Sequence, residues 1–261
     1  MPELPDVEIF KKYMDATSLH HKINDVAVIE TKVLEGVSAR KLRARLVDRS
    51  FESTRRHGKY LFARLEERSW LVFHFGMTGA LKYYKTESDH VKYVRVRFFF
   101  SNGYDLVYIS QRMLGRIRLV PFAEEFIGSN EWGPDALAID YGRFAEAVRK
   151  SRGPIKTTLM NQKLIAGIGN IYADEILFQS RLHPTTPGNK MKPQAIENLF
   201  HNVKTGLKQA IQWRADPGNF PKGHLLPHRN QGADCPVCGQ KLKTVKVAGR
   251  TAYFCPRCQA R

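Results

Sequence analysis

Pro5 and Asp6 precede an amphipathic stretch, Val7 to Asp15, whose spacing predicts a short first helix with a proline near its start. Beyond it the period shortens. Lys59 to Leu65, Trp70 to Phe75, Val91 to Phe98 and Gly115 to Val120 mix alternation with β-branched and aromatic residues, and Asn102-Gly103 is a strong hairpin signal. The chain up to about residue 120 therefore reads as a mainly antiparallel β domain. From Asp140 the period becomes helical, over Phe144 to Lys150, Ile155 to Gln162, Asn170 to Ser180 and Pro193 to Arg214. In the last of these, Ile196, Leu199, Phe200, Val203, Leu207, Ala210 and Ile211 recur every three or four residues and mark a core-facing stripe. Lys163 to Asn170 is a glycine-containing turn that ends at a helix start, and Ala215 to Asp234 reads as a linker or partly ordered loop.

Charge adds a partner to this outline. The chain carries 42 Lys and Arg against 25 Asp and Glu, a formal net charge of +17. Such an excess favours a polyanion, and nucleic acid fits better than a merely solvated basic surface. Arg95, Arg97, Arg116 and Arg118 fall on polar strand positions, which suggests a positive face on the β domain. No apolar run is long enough to span a bilayer and the N-terminus lacks a secretory pattern, so a cytoplasmic, nucleoid-associated protein without membrane contact is expected.

All four cysteines lie in Cys235-Pro-Val-Cys238 and Cys255-Pro-Arg-Cys258. That spacing is typical of a tetrathiolate zinc site, with a β-hairpin expected between the pairs, and a disulfide reading is disfavoured in a reducing compartment. From Cys235 onward there are six Lys or Arg and no acidic residue, so one structural zinc in a module that faces phosphates is expected.

Five ordered motifs carry a family resemblance: Met1 to Glu8 (MPELPDVE), Arg56 to Tyr60 (RHGKY), His74 to Gly79 (HFGMTG), Gly167 to Glu175 (GIGNIYADE) and the cysteine module with Arg250. Together they resemble the formamidopyrimidine-DNA glycosylase and endonuclease VIII family over nearly the whole chain. The resemblance implies an α+β fold: an N-terminal antiparallel β-sandwich with an N-terminal helix (residues 1–122), a C-terminal helix-two-turn-helix domain (130–226) and a zinc ribbon (231–261). It implies a monomeric base-excision repair enzyme, both DNA glycosylase and abasic-site lyase, acting on double-stranded DNA that contains damaged bases or abasic sites.

Within that resemblance, removal of Met1 is expected to free the secondary amine of Pro2. An α-amino group titrates near 8, so it is substantially unprotonated at neutral pH and can act as the nucleophile. Glu3 is expected to handle protons, and Lys59 to act at the phosphate by the lesion. For the remaining contacts with DNA the resemblance points to His74, Met77, Arg112, Leu114, Lys156, Asn170 and Arg250. Met77, Arg112 and Leu114 are expected to fill the gap left by a flipped base. Asn170 sits where a helix N-terminus offers free amides to a phosphate. Met113 and Leu114 replace an arginine and an aromatic of the family pattern, and Arg214 to Phe220 lacks the usual Gly-Gly-Thr-Thr-Leu lesion-capping loop. These departures lead to an expectation of relaxed lesion specificity. The competing reading is a non-catalytic zinc-ribbon DNA-binding protein that keeps the fold.

Overall fold

The computed structural model describes residues 2–66, 69–86 and 91–260. It divides into two compact units: Met1–Pro2 with Asp6–Asn130, and Glu3–Pro5 with Glu131–Arg261. Among the described residues no helix is long and apolar enough to cross a membrane.

The first unit is built on two four-stranded antiparallel sheets. One has the order β1 (Ile23–Val28), β6 (Val94–Phe100), β7 (Tyr104–Ser110), β5 (Gly79–Lys85). The other has the order β2 (Phe51–His57), β3 (Tyr60–Leu65), β4 (Trp70–His74), β8 (Arg116–Val120). Side chains that alternate inward from both sheets make one core, with Phe51, Leu61, Phe73, Phe98 and Tyr108 all fully buried. The β6–β7 turn forms at Asn102-Gly103, where Asn102 Oδ1 accepts from Tyr104 N at 3.2 Å and Gly103 takes φ +80°. Helix α1 (Leu4–Thr17) contributes Val7 and Met14 to this core, while α2 (Ala39–Leu46) contributes Leu42 and Leu46. A short α3 (Ala123–Ser129) follows β8.

The second unit holds α4 (Tyr141–Lys150), α5 (Ile155–Met160), α6 (Asn170–Gln179) and α7 (Pro193–Gln212) around a second apolar core. The stripe on α7 lies inside it: Ile196, Leu199, Val203, Leu207 and Ala210 are all buried. Pro193 opens α7 at a position where a missing N–H costs nothing. The C-terminal hairpin, β9 (Lys243–Val247) and β10 (Arg250–Phe254), turns at Ala248-Gly249, both at positive φ. Phe178, Leu225 and Leu242 pack with the cysteines in a separate small cluster.

Three expectations change. Helix α1 starts at Leu4 rather than Val7, because Pro5 is tolerated inside a first turn. The stretch read as a linker or partly ordered loop is tied down: Asp216 caps a short turn through Gly218 N at 3.0 Å, and Trp213, Phe220 and His224 pack edge to face with centroids 5.0–5.8 Å apart. The arginines expected to form a positive face are engaged within the unit. Arg97 pairs with Asp105, Arg116 and Arg118 with Glu35, and Arg95 Nε donates to Ser110 O.

Candidate active site

Glu3 has the most constrained side chain of the candidate set. It is completely buried, and its carboxylate accepts from Gly169 N at 2.8 Å, Ile171 N at 2.9 Å and Tyr172 N at 3.2 Å. Those are the orphan amides of the first turn of α6, whose own N-cap residue, Gly169, supplies no side-chain acceptor. A residue at the far end of the sequence therefore caps this helix. Gly169 has to be glycine, because a Cβ there would collide with the Glu3 carboxyl group. Leu4 N donates to Gly167 O at 3.1 Å and fixes the next residue in the same way.

This geometry revises the role foreseen for the α6 N-terminus. Two of its amides, those of Ile171 and Tyr172, are turned to Glu3 rather than to a phosphate. Asn170 has a buried Oδ1 with no hydrogen-bond partner among the described residues. Pro2, partly exposed, is the residue joined directly to Glu3; Met1 lies outside the described residues, and so does its expected removal.

In the first unit, Lys59 lies at the tip of the β2–β3 hairpin, in the two-residue turn with Gly58 at φ +54°, rather than in a strand. Arg56 holds that turn: Nε donates to Glu8 Oε2 of α1 at 2.7 Å and Nη1 to Gly58 O at 3.1 Å. Sequence reasoning assigned no role to Glu8 or Arg56. An acidic residue inside the opening motif and an arginine just before the turn were the only signals available.

Met77, Arg112 and Leu114 are brought together. Arg112 N donates to Thr78 Oγ1 at 3.0 Å, and Gly76, at φ +58°, lets the 76–79 turn lie against the Leu114 backbone, whose carbonyl oxygen a Cβ would approach to 2.8 Å. Arg116 Nη1 braces the loop through Met113 O and Gly115 O. Met77 at 40% and Leu114 at 47% exposure are thus apolar side chains presented to solvent from two pinned loops.

His74 stacks on Tyr60 with ring centroids 4.7 Å apart. Burial, and then the charges of Arg118, Lys59 and Arg116, push its imidazole down to about 4, with Glu35 pulling the other way. It is neutral at physiological pH. The unfolded chain takes up this proton near 6.5 and the folded one only near 4, so acidification across that window removes stability, on the order of 2–3 kcal/mol. Urea titrations between pH 7 and pH 4 should show His74→Gln losing less stability than the parent. Parallel losses would contradict this environment.

Lys156, expected at the DNA, turns its side chain into the protein. Its side chain is fully buried, with Nζ 2.6 Å from Asp174 Oδ1 and 3.3 Å from Thr251 O. Arg229 Nε donates to the other Asp174 oxygen at 2.9 Å and its guanidinium lies 4.6 Å over the Tyr253 ring. Burial raises the Asp174 carboxyl and lowers the Lys156 ammonium, while the opposite charges counter both shifts. The network clasps β10 to α5 and α6. Arg250, at the start of β10, is exposed, with Nη1 3.4 Å from Met160 Sδ.

The four cysteine sulfurs all lie within 4.8 Å of one another. Tetrahedral zinc with bonds of about 2.3 Å needs sulfurs roughly 3.8 Å apart. Cys235 and Cys258 at 3.9 Å, and Cys238 and Cys255 at 3.5 Å, bracket that value, so the thiolates fit one zinc ion.

Comparison with known proteins agrees along the whole length. Residues 1–117 match the formamidopyrimidine-DNA glycosylase N-terminal domain, residues 132–219 the H2TH domain of the same glycosylase, and residues 234–261 a zinc finger found in FPG and IleRS. A formamidopyrimidine-DNA glycosylase from Pelotomaculum thermopropionicum is 33% identical, with 99% of each chain covered. Two structures of the Lactococcus lactis enzyme, one with FAPY-dG-containing DNA and one with abasic-site DNA, superpose with a TM-score of 0.90 at 26% identity, over 99% of this chain and 100% of theirs. The chain belongs to the formamidopyrimidine-DNA glycosylase family.

Proposed function

We propose that this protein is a base-excision repair glycosylase that also cleaves the strand at the abasic site it creates, with the N-terminal amine of Pro2 as nucleophile. Relatives bearing the glycosylase name, and relatives solved with damaged and abasic-site DNA, support the repair function and the duplex partner. The observation that carries the mechanism is the Glu3 carboxylate, locked by three amides one residue away from the nucleophile.

The chemistry follows from those two residues. The Pro2 nitrogen bonds to C1′ of the damaged nucleoside as the glycosidic bond breaks, and the departing base takes up a proton. Loss of the amine proton gives an N-glycoside at C1′, and breaking of the C1′–O4′ bond, with a proton delivered to O4′, opens the sugar and leaves an iminium. Removal of a C2′ proton then expels the 3′ phosphate, and water releases the enzyme. Glu3, held rigidly, relays protons at the sugar. Lys59 on its braced turn, an N–H donor of Asn170 and the exposed Arg250 engage phosphates, which position the duplex without reading its sequence. Met77, Arg112 and Leu114 enter the space of the extruded base. His74, neutral and stacked, contributes shape and hydrogen bonding rather than charge. Lys156 acts from within, by holding the strand that carries Arg250.

Zinc bound by Cys235, Cys238, Cys255 and Cys258 keeps the hairpin folded and supplies no reaction step. Chelation should unfold the ribbon, weaken affinity for abasic-site DNA by about tenfold or more, and leave the melting of the first unit unchanged. Unaltered affinity after verified metal loss would disprove a DNA-gripping hairpin.

A panel of lesion duplexes, each opposite every normal base and assayed for strand cleavage in single turnover, tests the proposed activity and its specificity. Formamidopyrimidine and oxidised-pyrimidine lesions should be cleaved at least as fast as 8-oxoguanine. The aromatic knot of Trp213, Phe220 and His224 stands where a capping loop is expected, and leucine stacks less well than an aromatic wedge. Cleavage of no lesion would leave only the non-catalytic binder. A dominant preference for 8-oxoguanine opposite cytosine would refute the relaxed specificity.

A further inference from the structure

Strand β8 is an edge strand, paired with β4 on one side only. Its outer side is covered for one residue: Glu35 N donates to Ile117 O at 2.9 Å, and Leu34 bridges Ile117 in parallel. In an antiparallel ladder the peptide groups alternate sides, so Leu119, two residues on, also turns its N–H and C=O outward. The covering chain has left by then, because Gly36, at φ +71°, directs it away into α2. No backbone hydrogen bond to Leu119 from outside the sheet exists among the described residues.

A cleft of about 490 Å³ opens at this point, between the end of β8 and α2. Val37, Leu119 and Phe122 give it an apolar lining, and Phe122 is 61% exposed. Lys41 and Arg45, one helical turn apart on α2, line the facing wall and are exposed. The sheet register sets the location. Val120 pairs with Trp70, whereas Arg116 pairs with His74, so the cleft is at the opposite end of the sheet from His74 and the Lys59 turn, about 13 Å along the strands. The proposed catalytic and DNA-contacting residues of this unit do not enter it.

We propose that this edge and cleft are a docking site for an extended acidic peptide segment of another protein, which adds to β8 as a strand. Its backbone pairs with the outward N–H and C=O of Leu119, an apolar side chain fills the space against Val37 and Phe122, and flanking carboxylates meet Lys41 and Arg45. The peptide is favoured over a nucleic acid by the backbone groups. An open edge asks for a donor and an acceptor at strand spacing, which a polypeptide supplies and a phosphodiester chain does not. The basic wall selects the charge of the partner and speeds the encounter. A repair enzyme holding DNA could be recruited through this surface without releasing its substrate.

The test uses the full-length, zinc-loaded protein and a fluorescein-labelled peptide of alternating valine with aspartate or glutamate. A peptide with lysine at each acidic position and a thymidine oligonucleotide are the comparison ligands. Fluorescence anisotropy should show binding of the acidic peptide alone, weakened about tenfold or more in the double variant Lys41→Glu/Arg45→Glu. Hydrogen exchange should show the Leu119 amide protected by the peptide. Cleavage of lesion DNA by the double variant should be unchanged. Absence of binding, equal binding of the lysine peptide, indifference to the charge reversal, or an unprotected Leu119 amide would each overturn the proposal. Displacement of the peptide by the oligonucleotide would make the cleft a nucleic-acid surface instead. The exposed α2 substitutions leave Leu42 and Leu46 in the core, so a folding failure is not expected, and the exchange measurement on the parent protein decides independently of any variant.

Discussion

Borohydride should trap a covalent complex between this protein and abasic-site DNA when Pro2 is the free N-terminus, and none when Met1 is retained. A secondary amine attacks C1′ and gives an iminium that hydride reduces to a stable bond; the same nitrogen inside a peptide bond has its lone pair delocalised and forms neither. Strand cleavage should fall on the order of 10³-fold or more, the scale on which enzymes lose rate when a nucleophile is removed. Affinity for the same duplex should hardly change, because phosphate contacts do not depend on the nucleophile. Trapping by protein that mass spectrometry shows to carry intact Met1 would place the nucleophile elsewhere, on a lysine.

Replacing Glu3 should act on chemistry and stability together, and the two can be separated. Glu3→Gln keeps an oxygen for the α6 amides but cannot take up or deliver a proton. Base excision should drop by about 10² to 10⁴-fold, the usual contribution of a positioned acid or base, with a loss of stability near 1 kcal/mol. Glu3→Ala leaves Gly169, Ile171 and Tyr172 with unpaired buried or half-buried amides and should cost a further ~1–2 kcal/mol. Thermal melts and single-turnover rates on one lesion duplex check both. If the glutamine variant excised bases at the parental rate, Glu3 would be a helix cap and nothing more.

What the sequence made legible depended on how local each signal was. The four cysteines, the Asn102-Gly103 turn and the α7 stripe are complete within a few turns of chain, and the structure has them where the spacing put them. Helix α2 was not read because only Leu42 and Leu46 face inward among arginines and lysine, too few to set a period. Strand β1 was missed for a similar reason, since its buried positions, Ile23 and Val26, are three residues apart across a bulge. The knot after α7 depends on rings eleven residues apart in a stretch whose proline and glycine content reads as a linker or partly ordered loop. At the site, the residue types were visible but their commitments were not. Nothing near Lys156 announces that Asp174 and Thr251 will enclose it, and nothing near Asn170 announces that Glu3 will occupy the amides beside it. Local reasoning assumes free groups, and tertiary pairing decides which remain free.

The glutamate cap also bears on how the chain folds. The bond from Gly169 to Glu3 spans 166 residues, so the first turn of α6 is completed by a group synthesised long before it. Closing so long a loop costs chain entropy that no local contact repays, and contacts of this separation slow folding. The helix can form earlier through its own packing, but its N-terminal amides stay exposed to water until the N-terminus arrives. Proper placement of Glu3 beside Pro2, the proposed nucleophile, therefore belongs to the late, long-range stage of folding, and a molecule arrested before it could already hold its zinc and its apolar cores while lacking this arrangement.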